Sequence, residues 1–233
     1  MYEYLIGVDP QTGKLAPELA TEWRLEPDGR SFRFKLRRGV MFQKDAGEFT
    51  AKDVVHTHED FIQADSTHGE APYWRDLVKT VDAVNDYEVV FRPGRPDGNF
   101  LNAISRLEGD MMAIQSKVHF DTLGQPTMQT GPIAGTGPYQ FKERVQGSHI
   151  IYERVAHQHW RVTPDFPEFQ FRFVKEASTR LAGLLAGEFH VTSLPPDLLK
   201  QAEAREFKVI RGRVPGLRVF LRVICCFIAE PKD

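Results

Sequence analysis

The chain has 233 residues, of which 41% are hydrophobic and 27% are charged. This composition is ordinary for a globular protein, and the length suffices for one large domain or two small ones. It excludes a disordered tail and a disulfide-stapled miniprotein. The 30 Lys and Arg residues nearly balance the 32 Asp and Glu residues, which leaves a formal net charge of -2. Without a basic excess to neutralise phosphates, the sequence argues against a nucleic-acid partner.

Features near the two chain ends bear on membranes and redox chemistry. The longest uninterrupted apolar run, residues 223–229, is far shorter than the roughly 20 residues of a membrane-spanning helix. The N-terminus lacks the basic start and apolar stretch of a secretory signal, so the sequence as written predicts no export signal. Cys225 and Cys226 are adjacent, and a bond between them would close a strained ring. We interpret them as two ordinary buried thiols.

Turn residues and strict alternation predict strands in the first forty residues. Pro and Gly in residues 9–13 and 26–29 favour tight turns, because Pro fixes φ and Gly accepts a positive φ. After the second turn, residues 31–37 alternate apolar with polar side chains, which places Phe32, Phe34 and Leu36 on one face. We therefore predict a half-buried antiparallel strand at this position.

A helix is predicted from Thr50 onward. Thr50 can cap the first amide groups, and Asp53 lies near the positive end of the helix dipole. Helical spacing predicts an inward stripe that also carries His58, formed by Val54, Val55, Phe61 and Ile62. A second alternating strand is predicted over residues 87–91, followed by a short helix around residues 99–106.

The segment 122–137 is rich in Gly, Pro and Thr and has no apolar period, so we place a unit boundary near Ala134. Beyond it, the sequence predicts strands over residues 137–143, 150–155 and 169–174. Ser178 or Thr179 is predicted to cap a helix that ends before Gly187 and whose inner side carries Leu181, Leu184 and Leu185. A second helix is predicted to begin at Pro195 and Pro196.

The side chains that catalysis or metal binding requires are not grouped in the sequence. His56 and His58 are two apart in a predicted helix, so they point about 200° apart and cannot share an ion. His157 and His159 can face the same way beside Trp160, but ligand-spaced carboxylates and thiolates are missing there, which favours a polar surface strand. No nucleophile elbow, phosphate-binding loop or dinucleotide fingerprint occurs. The sequence therefore predicts no enzyme, no metal and no cofactor.

Three blocks of residues occur in a fixed order. The first combines LAPELATEW at 15–23, PDG at 27–29, FKLRRGVMF at 34–42 and FTAKDV at 49–54. The second is GTGPYQF at 135–141, and the third joins STRL at 178–181 to Leu184, Gly187 and Glu188. Together they resemble the extracytoplasmic solute-binding proteins of peptide and nickel ABC importers, the family typified by dipeptide- and oligopeptide-binding proteins. One departure is the loop at residues 42–48, which is longer than the family's Phe-His-Asp-Gly, and we expect its turn to form on Gly47.

The resemblance implies an α/β fold of the periplasmic binding protein type, type II, in which two lobes close on a ligand. It covers about residues 2–215, which correspond to less than half of a complete family member. By this comparison residues 1–133 form most of a mixed α/β subdomain inserted into the first lobe, and residues 134–215 form part of that lobe's core. Residues 216–233 are assigned to the start of a missing second lobe or to an aberrant tail.

The resemblance also indicates candidate ligand-binding residues. The family places a ligand-contacting aromatic side chain after the helix that begins near Thr50, which makes Tyr73 and Trp74 candidates. Arg75 is a candidate for contact with an anionic ligand group. Aromatic side chains suit a cleft because they offer stiff apolar area with a polar tip. The alternative for this Tyr-Trp pair is ordinary packing in the core or on the surface.

By resemblance, the function is that of the substrate-binding component of an ABC transporter, which captures peptides or a similar small solute for import. The implied partners are the ligand and the membrane permease subunits, with a periplasmic or extracytoplasmic location. Membrane contact would come through permease docking or through a lipoprotein anchor missing from this chain. The alternative is the ligand-sensing domain of a transcription regulator with the same fold, which would need a DNA-binding region N-terminal to this segment.

Overall fold

The computed structural model describes residues 2–66, 68–107, 112–124 and 133–210, which contain nine strands and six helices. The chain divides into two compact units, Met1–Val174 and Lys175–Asp233. The boundary near Ala134 and the division into subdomain, lobe core and tail remain predictions. Residues 216–233, with Cys225, Cys226 and the apolar run, lie outside the described residues. Within the described residues, no helix has the length and apolarity needed to cross a membrane.

A hairpin and a four-stranded sheet begin the first unit. Strands β1 (Ile6–Val8) and β2 (Leu15–Pro17) pair antiparallel around a turn in which Asp9 accepts from the amides of residues 11 and 12. The sheet has the order β3-β4-β6-β5 and is antiparallel throughout, with strands β3 (Ala20–Leu25), β4 (Phe32–Leu36), β5 (Val78–Asn85) and β6 (Glu88–Pro93). The predicted strands at residues 31–37 and 87–91 are confirmed as β4 and β6.

Helix α1 (Ala51–Phe61) packs on this sheet, and its predicted start is confirmed. The Thr50 amide donates to Asp53 Oδ2 at 2.8 Å, and this bond gives a partner to an amide group that has none within the helix. Asp53 Oδ1 also accepts from the Lys117 amide at 2.9 Å, so one carboxylate joins the start of α1 to a distant segment. Helix α2 (Ala71–Leu77) packs against β5.

The core of the first unit lies between the four-stranded sheet and these helices. Its largest fully buried side chains are Leu5, Ile6, Leu19, Phe34, Phe49, Trp74, Leu77, Phe91, Phe100, Ile104, Met112 and Ile114. The predicted short helix is confirmed as α3 (Phe100–Ala103), although it ends earlier than expected. It stops because Ser105 bridges to Ile6 and the Arg106 amide donates to the Ile6 carbonyl, which ties this segment to β1.

One helix and a three-stranded sheet complete the described part of the first unit. Helix α4 (Lys117–Leu123), which the sequence analysis missed, is capped by the Ser116 hydroxyl, which accepts from the His119 amide. Three strands then form an antiparallel sheet in the order β7-β8-β9, namely β7 (Tyr139–Val145), β8 (His149–Arg154) and β9 (Glu168–Arg172). These confirm the three strands predicted after Ala134.

The second unit contains a helical pair, α5 (Ala177–Leu185) and α6 (Pro196–Glu203). Both helices are confirmed, but the predicted cap of α5 is wrong, because the N-cap is Glu176 and both Ser178 and Thr179 lie inside the first turn. Leu181 and Leu184 are buried as predicted. Leu185 is 42% exposed, so its predicted inward position is also wrong.

Candidate functional site

Trp74, predicted to contact ligand, is 0% exposed within the core of the first unit. Its indole Nε1 donates to Nδ1 of His58 on α1 at 3.0 Å, and its ring meets Phe61 edge-on with centroids 6.0 Å apart. This bond requires Nδ1 of His58 to be the acceptor, so His58 carries its proton on Nε2. In this structure Trp74 offers no surface to a solute, and its packing role is the alternative that the sequence analysis left open.

Burial lowers the pKa of His58 to about 4, because a charged imidazole would lose its hydration in the core. The imidazole is therefore neutral at physiological pH, as the bond from Trp74 requires. The sequence analysis placed His58 on the inward stripe of α1, and the structure confirms that position. His56 is also buried and contacts Phe120 instead, with ring centroids 4.5 Å apart, so the two histidines do not share a site.

Arg75 is a residue of α2, and its side chain reaches the residues that follow the end of α1. Its Nε donates to the carbonyl of Ile62 at 2.8 Å and its Nη2 donates to the carbonyl of Gln63 at 2.5 Å. Carbonyl groups after a helix end have no partner within the helix and carry partial negative charge, which a guanidinium group neutralises. Tyr73 is half-buried and packs against the same core. The structure therefore places the three candidates on one short helix but gives each a different environment.

Gln43 holds the second sequence block in place, a role that the sequence analysis missed. Its backbone amide donates to the Gly135 carbonyl at 2.9 Å, and its side-chain Oε1 accepts from the Gly135 amide at 3.1 Å. Its Nε2 donates to the carbonyls of Gly137 at 2.7 Å and Tyr139 at 2.8 Å. The turn forms on Gly47 as expected, with φ of +87°. This loop therefore pins residues 135–139 to the core through one buried amide side chain.

A second buried network, which we call the Glu3–Glu18 cluster, consists of Glu3, Glu18, Arg106, Trp160 and Arg161. Glu3 accepts from Trp160 Nε1 at 3.0 Å and from Arg161 Nη2 at 2.7 Å. Glu18 accepts from Arg106 Nε at 3.3 Å and lies 3.7 Å from Arg161 Nη2. Both carboxylates are almost fully buried, whereas both arginines reach solvent. The cluster joins the first residues of the chain to the segment after β8.

Hydrogen bonds and a nearby arginine keep the Glu3 side chain ionised. Burial opposes its ionisation, but hydrogen bonds from His159 and Trp160 and the charge of Arg161 outweigh burial and lower its pKa. His159 Nε2 lies 3.0 Å from the Thr136 carbonyl, and its Nδ1 accepts from the amides of Arg161 and Val162. His159 is thus a buried loop residue, and the interpretation of residues 157–160 as a polar surface strand is wrong.

The buried polar side chains of these two networks are bonded to partners within the fold. Among the described residues, no group of three or more His, Cys, Asp or Glu side chains is placed to hold a metal ion. The two carboxylates of the Glu3–Glu18 cluster differ in basicity. Burial raises the pKa of Glu18 despite its bonds to Arg106, whereas hydrogen bonds and the charge of Arg161 lower the pKa of Glu3. What the two networks achieve is rigidity, since they fasten the loops at residues 135–139 and 159–161 to the core.

The fold places the chain in a known class. Among solved structures it is similar to the periplasmic binding protein DppA from Helicobacter pylori in complex with the peptide STSA, with a TM-score of 0.75 and 27% identity over 88% of this chain and 43% of that one. It is similar to the oligopeptide-binding protein AppA from Bacillus subtilis in complex with a nonapeptide, with a TM-score of 0.75 and 26% identity over 87% of this chain and 40% of that one. The fold is that of the type II periplasmic binding proteins, as predicted.

Residues 14–223 match the model of the family described as bacterial extracellular solute-binding proteins, family 5 middle, and the chain belongs to this family. It is 30% identical to the probable ABC transporter periplasmic-binding protein SapA of Escherichia coli over 95% of this chain and 42% of that protein. It is 28% identical to the dipeptide-binding protein of Escherichia coli over 94% of this chain and 44% of that protein. The chain thus spans less than half the length of these relatives, and its family is one of solute-binding proteins, not of enzymes.

Proposed function

We propose that the chain forms part of the substrate-binding component of an ABC importer, which captures peptides or a similar small solute outside the cytoplasm. The observation that supports this most strongly is the family match over residues 14–223, which takes in all three sequence blocks. The named relatives are periplasmic binding proteins, and two structural neighbours were solved with bound peptides. These relatives favour the importer over the transcription regulator.

The two buried networks support capture by a rigid surface. A binding protein of this type closes on its ligand, and closure is driven only by contacts that exist in the closed state. A surface that is already ordered loses little conformational entropy when a solute arrives. Gln43 and the Glu3–Glu18 cluster provide such order for the loops at residues 135–139 and 159–161. We propose residues 1–133 as the inserted subdomain and 134–215 as core of the same lobe.

Tyr73 is the proposed solute contact on α2. It is half-buried, and the indole of Trp74 beside it fixes the helix to the core, so Trp74 would act on a solute only by supporting Tyr73. Arg75 would contact an anionic solute group through Nη1, which takes no part in its two bonds to the carbonyls of Ile62 and Gln63. The proposed partners are the permease subunits, with an extracytoplasmic location held by permease docking or a lipoprotein anchor.

The test is uptake of labelled di- and tripeptides by cells in which the gene encoding this chain is deleted. The proposal predicts loss of uptake for at least one peptide, and recovery when the gene is restored. Transcript levels measured in the same cells separate the alternative. Unchanged uptake of every peptide together with altered transcription of neighbouring genes would favour a ligand-sensing regulator and contradict the importer.

A further inference from the structure

The imidazole of His58 connects three elements of the first unit. It belongs to α1, it accepts from the Trp74 indole of α2 at 3.0 Å, and it bonds to the backbone of Lys79 in β5. His58 and Trp74 are only 2% and 0% exposed. These bonds therefore lie inside the core of the first unit and do not depend on what covers its surface.

Helix α2 depends on contacts of this kind for its position. It has seven residues, and the side chain of its N-cap residue Glu70 makes no capping hydrogen bond. A helix of about two turns is not stable alone in water, because nucleation costs more than so few hydrogen bonds return. Its C-terminal end runs directly into β5, and Arg75 bonds to the carbonyls that follow α1 in a partly exposed setting. The Trp74–His58 bond differs from the Arg75 bonds because it is fully buried.

Tyr73 precedes Trp74 on this short helix, so the two side chains move together. Without an acceptor at His58, the buried indole N–H of Trp74 would lose its partner, which is costly in an apolar core. A shift of α2 that brings the indole to water relieves this cost, and the same shift displaces the Tyr73 ring. Binding contacts keep their geometry only when buried hydrogen bonds and packing lock the residues that carry them.

We infer that His58 is a positioning residue for solute capture, which holds the Tyr73 ring in its binding orientation through the Trp74 indole. His58 does not touch the solute. The inference rests on the proposed solute contact by Tyr73 and adds the buried group that sets the orientation of that contact. Only a neutral imidazole can accept the indole bond, and the burial of His58 keeps it in this form.

Two substitutions at His58 test the inference in cells that depend on this gene for uptake of labelled di- and tripeptides. His58→Leu is similar in size but cannot accept from the indole, so it should raise the half-saturating peptide concentration about tenfold. His58→Gln can accept through Oε1 and donate through Nε2, so it should restore the parent value to within about threefold. A variant that merely lowers the amount of folded protein would lower the maximal uptake rate instead, and immunoblotting measures that amount.

His56→Leu is the matched control, because it removes another buried imidazole from the same helix. The His56 ring contacts Phe120 of α4, and its Nε2 has no hydrogen-bond partner among the described residues. This variant should therefore keep the parent's half-saturating concentration. Tyr73→Ala is the reference for loss of the contact itself, and it should raise the half-saturating concentration at least as much as His58→Leu does.

Hydrogen exchange of the purified gene product tests the positioning step apart from transport. His58→Leu should speed amide exchange within residues 71–77 at least about fivefold, and His58→Gln should restore slow exchange. Unchanged exchange in His58→Leu, a half-saturating concentration that glutamine does not restore, or an equal rise in His56→Leu would overturn the inference. If Tyr73→Ala left uptake unchanged, the solute contact itself would be contradicted, and the inference with it. Uptake that does not depend on the gene, together with faster exchange in His58→Leu, would instead contradict the importer function.

Discussion

Strands β4 and β9 have the same alternating pattern of aromatic and charged residues but opposite environments. In β4, Phe34 is 0% exposed and packs edge-on against Phe91 of the neighbouring strand, with centroids 5.2 Å apart. In β9, Phe171 is 48% exposed. Helices α1 and α2 pack on the sheet that contains β4. Alternation therefore predicts a strand and its apolar face, whereas elements elsewhere in the chain decide whether that face becomes a core.

The largest expected difference is between two matched truncations. Phe34→Ala should lower the free energy of unfolding by about 3–5 kcal/mol, because it removes a fully buried ring and leaves a cavity. Phe171→Ala should lower it by at most about 1 kcal/mol, because its ring is half in water and loses mainly edge-on aromatic contacts. Urea unfolding of each variant and of the parent chain measures both losses.

Equal losses for the two phenylalanine variants would contradict the comparison. Such a result would mean that the aromatic face of β9 is covered in solution. Phe173 is 46% exposed on the same face as Phe171, so Phe173→Ala should also lower the free energy of unfolding by at most about 1 kcal/mol.

Acidification should lower the free energy of unfolding by a smaller amount. This effect arises from His58 on α1, the helix that packs on the sheet containing β4. Unfolded His58 takes up a proton near its ordinary pKa of 6.5, whereas folded His58 does so near 4. The unfolded state therefore binds more protons between these values, so stability falls as the pH is lowered from 6.5 to 4. The loss from this residue should be about 3 kcal/mol at the lower limit. Urea unfolding across this pH range measures it.

His58→Gln supplies the control for the acid effect. Glutamine can accept from the Trp74 indole but does not titrate, so the stability of this variant should depend less steeply on pH than that of the parent chain. His157→Gln changes an exposed histidine and should leave the pH dependence of the parent chain intact. A His58→Gln variant with the parent's full acid sensitivity would show that another group is responsible.

Local signals in the sequence sufficed for most of the fold. The capping residues at Thr50 and Asp53 predicted the start of α1, and alternation predicted β4, β6 and β9. The misses arose where distant contacts decided the outcome. Helix α3 ends early because its following residues bond to β1. The start of α5 is a local miss, since its N-cap position is Glu176, whose side chain makes no capping hydrogen bond.

The candidate site was less predictable because its supports are long-range. Gln43 bonds to residues more than ninety positions away, and Glu3 bonds to Trp160 near the other end of the first unit. The periodicity of neighbouring residues in the sequence carries no information about such distant partners. A carboxylate within the apolar start of the chain was the available signal for Glu3, since buried acids are rarely found without partners. Trp74 illustrates a different limit, because family placement indicated a short segment but not which of its side chains are buried.

Native mass spectrometry of the purified gene product with a mixture of di- and tripeptides tests the central claim most directly. If the protein binds its solute without altering it, the complex should exceed the free chain by the mass of one intact peptide. Dissociation of the complex should release the same peptide. Absence of a complex with every peptide and small solute offered, or release of cleaved or otherwise altered molecules, would contradict the account.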